Sequence, residues 1–108
     1  MSVQYGIFEY KTAIIDCGTL GDNTIVSAIT TKRIKVYAIT LVVSAAVNCM
    51  WKSGTTAISG AMNFSANGGY SHVMQPPAII LQTNTGEALV LNLSGATPVD
   101  GHIAYWEE

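Results

Sequence analysis

Residues 33–53 read RIKVYAITLVVSAAVNCMWKS, and the fold class turns on how these residues alternate. Ile34, Val36 and Ala38 fall on one side of an extended chain, with Arg33, Lys35 and Tyr37 on the other. That period of two is the mark of a strand with one face in the core. From Ile39 the apolar pattern becomes continuous through Leu41, Val42 and Val43, as expected where a strand enters the core or carries a bulge. After Ser44, Ala45 and Ala46, alternation resumes, with Val47, Cys49 and Trp51 on one face and Asn48, Met50 and Lys52 on the other. The stretch predicts a long hairpin at the centre of a β-sandwich.

The rest of the chain has the same character. TAIIDC at Thr12–Cys17 predicts a strand closed by Gly18 and a turn at Gly21-Asp22-Asn23; Thr24–Thr30 predicts a second, with Ile25 and Val26 as core residues. Thr56–Met62, interrupted by Gly60, and Tyr70–Met74 predict further strands. Between them, Asn67-Gly68-Gly69 is the strongest turn signal, read as a hairpin turn in preference to an anion-binding nest. Pro76-Pro77 precedes an extended segment at Ala78–Thr83, and Asn84-Thr85-Gly86 turns the chain again. Leu89, Leu91 and Leu93 give the cleanest alternation, and His102–Trp106 is the last predicted strand. About eight short strands, with helical periodicity almost absent, predict one all-β domain over 1–108: an antiparallel β-sandwich of jelly-roll-like kind. At this length about 65% of the unfolded surface is buried on folding, enough for one core without metal or disulfide.

Composition narrows the function. Only 11% of the residues are charged, five basic and seven acidic, against about 25% in ordinary soluble domains. With 49% hydrophobic residues, such a surface predicts burial against other subunits. The net charge of −2 does not suit a nucleic-acid surface, whose only basic cluster would be Lys32, Arg33 and Lys35. The N-terminus lacks the pattern of a signal peptide, and the sixteen uncharged residues between Lys35 and Lys52 are too few and too β-like for a membrane span.

No constellation for catalysis or metal binding stands out. His72 and His102 lack Cys, Asp or Glu at ligand spacing, although His102 follows Asp100 and Cys17 follows Asp16. Cys49 reads as a small buried hydrophobe, Cys17 and Cys49 as reduced, and their spacing leaves a pairing open. No cofactor, metal or small-molecule substrate is expected. Candidate contact residues are aromatic or apolar: Tyr5, Ile7, Phe8 and Tyr10 near the N-terminus, where residues 1–10 form an extended arm or an edge strand, and Tyr70 and Trp106.

Five segments, Lys32–Ser44, Val47–Gly54, Ile58–Gly69, Thr85–Ser94 and Val99–Tyr105, together resemble small structural proteins of bacteriophage virions, of the head-decoration or cement type. The shared features are a basic-started strand, a strand ending in a Ser-Gly turn, a segment closing on Gly-Gly, a Thr-Gly-led leucine strand and a terminal Gly-His-Ile-Ala-Tyr strand. They cover about three quarters of the chain; residues 1–23 lie outside them. The resemblance implies a non-enzymatic jelly-roll-like protein of the virion. It would cement the shell by binding the major capsid protein, itself as a dimer or trimer, or both. The alternative is a carbohydrate- or receptor-binding module of a tail or fibre, with Tyr70 and Trp106 as its stacking platform.

Overall fold

In the computed structural model, residues 8–108 are described; they contain no helix and ten strands. In chain order these are β1 (Lys11–Cys17), β2 (Gly21–Val26), β3 (Ile34–Val43), β4 (Val47–Ser53), β5 (Thr56–Ala57), β6 (Met62–Phe64), β7 (Gly69–Val73), β8 (Leu81–Gln82), β9 (Leu89–Leu93) and β10 (Val99–Glu107). Every ladder is antiparallel. The first sheet runs β1-β10-β3-β7, with β8 also on β3; the second runs β2-β9-β4-β5, with β6 also on β4. The two pack face to face around one cluster that includes Ile15, Ile39, Leu41 and Ile103 from the first sheet and Cys49, Trp51, Leu91 and Leu93 from the second.

The stretch at 33–53 is not a hairpin. Its two strands lie in different sheets, β3 beside β10 and β4 beside β9. A two-residue hairpin turn needs positive φ, and none of Ser44, Ala45 or Ala46 adopts it. The chain instead crosses the sandwich there, held by the Ser44 amide donating to the Pro98 carbonyl at 3.1 Å. Alternation fits both arrangements equally, because it says which side chains are buried and not which strand lies alongside. The Asn67-Gly68-Gly69 turn is likewise a crossing, from β6 on β4 to β7 on β3. Asn67 takes φ 61° there, and the Gly68 amide donates to the Ser65 carbonyl at 2.9 Å. Gly21-Asp22-Asn23 belongs to β2 rather than to a turn, and Thr56–Met62 resolves into the two short strands β5 and β6.

β3 carries a bulge, but ahead of the continuous apolar stretch from Ile39 where the sequence suggested one. Val36 pairs with Tyr105 and Ala38 with Ala104, which leaves Tyr37 as the extra residue. The inward phase therefore shifts by one. Ile34 and Val36 are buried before it, and Ile39, Leu41 and Val43 after it.

Two polar links tie the layers together. The Trp51 indole Nε1 donates to the Tyr70 hydroxyl at 3.0 Å, joining the second sheet to the first across the core. The fully buried Ser53 hydroxyl donates to Glu87 Oε1 at 2.6 Å and accepts from the Asn84 amide at 2.8 Å, fixing the end of β4 to the turn before β9. Beside β3 two neighbours need glycine. A Cβ at Gly101 would collide with the Thr40 carbonyl oxygen, and one at Gly69 with that of Leu41.

Gly101, at φ +155°, is therefore a sharp test of this packing. Gly101→Ala is expected to lower unfolding stability by at least about 2 kcal/mol. Leu91→Ala, which empties a fully buried site, is expected to cost about 2–5 kcal/mol. Urea midpoints at unchanged m-value provide the measurement.

Candidate interaction surface

Directly opposed residues in a ladder point to the same side, so the register defines what each sheet shows to solvent. Across the outer side of the first sheet run three rows: Thr12, Ala104, Ala38 and Val73; Ile14, His102, Thr40 and Ser71; Asp16, Asp100, Val42 and Gly69. Ile14 is 77% exposed, Val73 68% and Val42 50%. The one side-chain hydrogen bond among these residues joins the Thr40 and Ser71 hydroxyls at 3.1 Å.

The second sheet is dressed differently. Lys52 Nζ reaches both Asp22 carboxylate oxygens at 3.0 Å, and Asn92 Nδ2 donates to the same carboxylate at 2.7 Å. Val90, the outward apolar residue of β9, is only 5% exposed. One outer side is thus a cross-linked polar surface. The other is a sheet face with bare aliphatic groups and, among the described residues, no ion pair along these rows, where charge is confined to the facing Asp16 and Asp100 and to His102.

At one end of the first sheet's outer side, Tyr10, Tyr37 and Trp106 form an aromatic cluster. Tyr10 meets the other two edge-on, with centroids 5.8 and 5.7 Å away, and Tyr37 lies 5.9 Å from Trp106. The Trp106 Nε1 donates to Glu108 Oε1 at 3.0 Å, and Lys35 Nζ sits 3.0 Å from the same oxygen. Those two donors, the indole first, hold the Glu108 carboxyl below its ordinary value.

The structure separates the six expected contact residues. Tyr5 and Ile7 lie outside the described residues. Phe8 is half-buried in an open groove of about 360 Å³ that it shares with Glu9, Lys11, Lys32, Glu107 and Glu108. Tyr10 is 41% exposed. Tyr70 is half-buried, its ring stacked on Phe64 at 5.9 Å and its hydroxyl held by Trp51. Trp106 is 3% exposed, covered by its own chain. Tyr70 and Trp106 therefore do not form an open stacking platform. Leu20, Ile29 and Met74 are exposed elsewhere; on the outer rows of the first sheet the exposed large apolar residues are instead Ile14, Val42 and Val73. Two of them carried a signal: in Ile14-Ile15 and Val42-Val43 one member of each pair must face outward.

The titratable side chains do not converge. His72 pairs with Ile39, on an inward row at the sheet's edge, whereas His102 lies on an outward row beside Thr40. Asp16 stands directly opposite Asp100. Among the described residues no three His, Cys, Asp or Glu side chains are grouped to hold a metal ion. Also among them, no helix is long and apolar enough to cross a membrane. Both cysteines are free thiols, Cys49 buried and Cys17 half-buried. Burial, with the nearby Cys17 adding to it, pushes the Cys49 thiol up to about 11; burial first, then Asp100 and Asp16, raises Cys17. Compared with known proteins, the chain matches no family model, no curated protein and no solved structure.

Two measurements check this electrostatic picture. Thiol titration with a disulfide reagent at pH 8 is expected to find Cys17 slow and Cys49 silent until the protein unfolds. The Asn92 hydrogen bond, then Lys52, lowers the Asp22 carboxyl from its ordinary 3.8. A depressed carboxylate stabilises the fold above its unfolded value, and that share is lost as pH falls from about 4 through the folded value. Asp22→Asn is expected to flatten this acid limb of a Tm-versus-pH curve, modestly because the pair is solvent-exposed.

Proposed function

We propose that this chain is a non-enzymatic accessory protein of a bacteriophage virion. It decorates the capsid by bridging neighbouring subunits, with the major capsid protein and further copies of itself as partners. Assembly takes place in the host cytoplasm and the mature location is the virion. The sandwich is of jelly-roll kind, a reading supported by the order β1-β10-β3-β7 opposite β2-β9-β4-β5, in which β1 to β4 alternate between the sheets. Such double-sheet folds recur in viral shells.

The observation that carries the proposal is the outer side of the first sheet, bare of ion pairs among the described residues and showing Ile14, Val42 and Val73. Four strands at about 4.8 Å and seven residues at about 3.3 Å give a face of roughly 450 Å². A standard interface takes about 800 Å² from each partner. A face of this size suits a modest contact repeated over many copies, where avidity supplies the strength. Tyr5 and Ile7 of the leading segment would add apolar contact area against a neighbouring subunit.

Co-sedimentation with phage particles stripped of this protein tests the proposal. The double variant Val42→Asp, Val73→Asp is expected to lose at least tenfold in binding while keeping its fold. Binding equal to the parent would take the face out of the mechanism, and absence of binding by the parent chain would overturn the virion reading. Removal of residues 1–7 is expected to weaken binding further.

A further inference from the structure

We infer that β1 is the edge through which two copies of this chain join, as an antiparallel pair centred on Ile14. The inference deepens the self-association part of the reading above and does not depend on the shell. Among the described residues β1 ends the first sheet, and its seven residues keep an unbroken register with β10. Such a strand offers a regular row of amide and carbonyl groups on its open side, which proteins commonly guard by shortening or bulging the edge. The other ends are guarded in that way. The ladder of β2 with β9 shifts register between Thr24 and Val26, β5 and β8 have two residues each, β6 has three, and β7 has five.

The second copy is the occupant that the sequence of β1 fits. When two sheets share one core side, paired residues must point the same way. The register that uses all seven residues is then centred on Ile14. It places Ile14 against its own copy, Ala13 against Ile15, Thr12 against Asp16 and Lys11 against Cys17. Ile14 is the most exposed large apolar residue described, at 77%, and it becomes a cross-strand aliphatic pair on the two-fold axis. The small Ala13 meets the large Ile15. No like charges meet, and the Thr12 hydroxyl comes alongside Asp16, whose neighbour within the monomer is the like-charged Asp100. The joint makes one continuous eight-stranded sheet from the two four-stranded paths.

Sedimentation equilibrium on the full chain tests this. The parent protein is expected to dimerise reversibly with concentration. Ile14→Lys and Ile14→Glu, each confined to an exposed side chain, are expected to keep the parent's urea midpoint and lose at least tenfold in association, since like charges then face each other. Mixing the two in equal amounts is expected to restore the dimer as a one-to-one pair that weakens with added salt. A dimer that survives Ile14→Lys would put the contact elsewhere and overturn the β1 joint, leaving self-association intact. A mixture that stays monomeric would also overturn it. A parent chain that is monomeric at every concentration would overturn both the joint and the self-association half of the function, with capsid binding judged separately by co-sedimentation.

Discussion

The first four strands of this chain meet their sequence neighbours across the core and not edge to edge. The short passages at residues 18–20 and 44–46 each carry the chain from one sheet to the other, so β1 faces β2 and β3 faces β4. The ladders are therefore made by segments far apart in sequence, β1 with β10 and β2 with β9. Neither sheet can form without material from both ends of the chain, and neither has an apolar core until the other is in place. Folding dominated by such distant pairings is slow for its size. The Trp51–Tyr70 hydrogen bond sits at this junction of the sheets and makes their spacing specific.

The same topology sorts the scarce charges. Three of the five basic side chains are held in ion pairs, Lys11 with Glu107, Lys35 with Glu108 and Lys52 with Asp22. Two of these pairs sit at the end of the first sheet where β1 begins and β10 ends, and the third lies on the second sheet. The outer side of the first sheet is left with Asp16, Asp100 and His102 among hydroxyls, small residues and bare aliphatic groups. A sheet face with bare aliphatic groups and only two carboxylates, ending in a regular edge among the described residues, is a surface suited to protein contact.

Much of this was legible in the residues. Alternation in Leu89–Leu93 and Val47–Trp51 names the core residues of the second sheet, whereas the apolar run after Ile39 is regular strand with Val42 facing out, and the bulge at Tyr37 precedes it. What alternation does not encode is the neighbour. The Ser-Ala-Ala passage at 44–46 was read as a hairpin because it joins two good strands, although it lacks the Gly or Asn that a tight turn demands. Trp106 was placed at the surface because the residues that cover it, Tyr10 and Tyr37, arrive through strand pairing and a bulge. Tyr70 is tethered from the opposite sheet, which no local pattern reports. Asp16 and Asp100, eighty-four positions apart, come face to face only because the chain's two ends form one ladder.

The central claim is that the first sheet, ending at β1, is the side through which this protein meets its neighbours. Amide hydrogen exchange followed at low and high protein concentration tests it most directly. If β1 is a joint, amides of residues 11–17 exchange markedly more slowly in the concentrated sample, while those of β2 and β9 are unchanged. Equal exchange of residues 11–17 in both samples, or slowing confined to the second sheet, would contradict it.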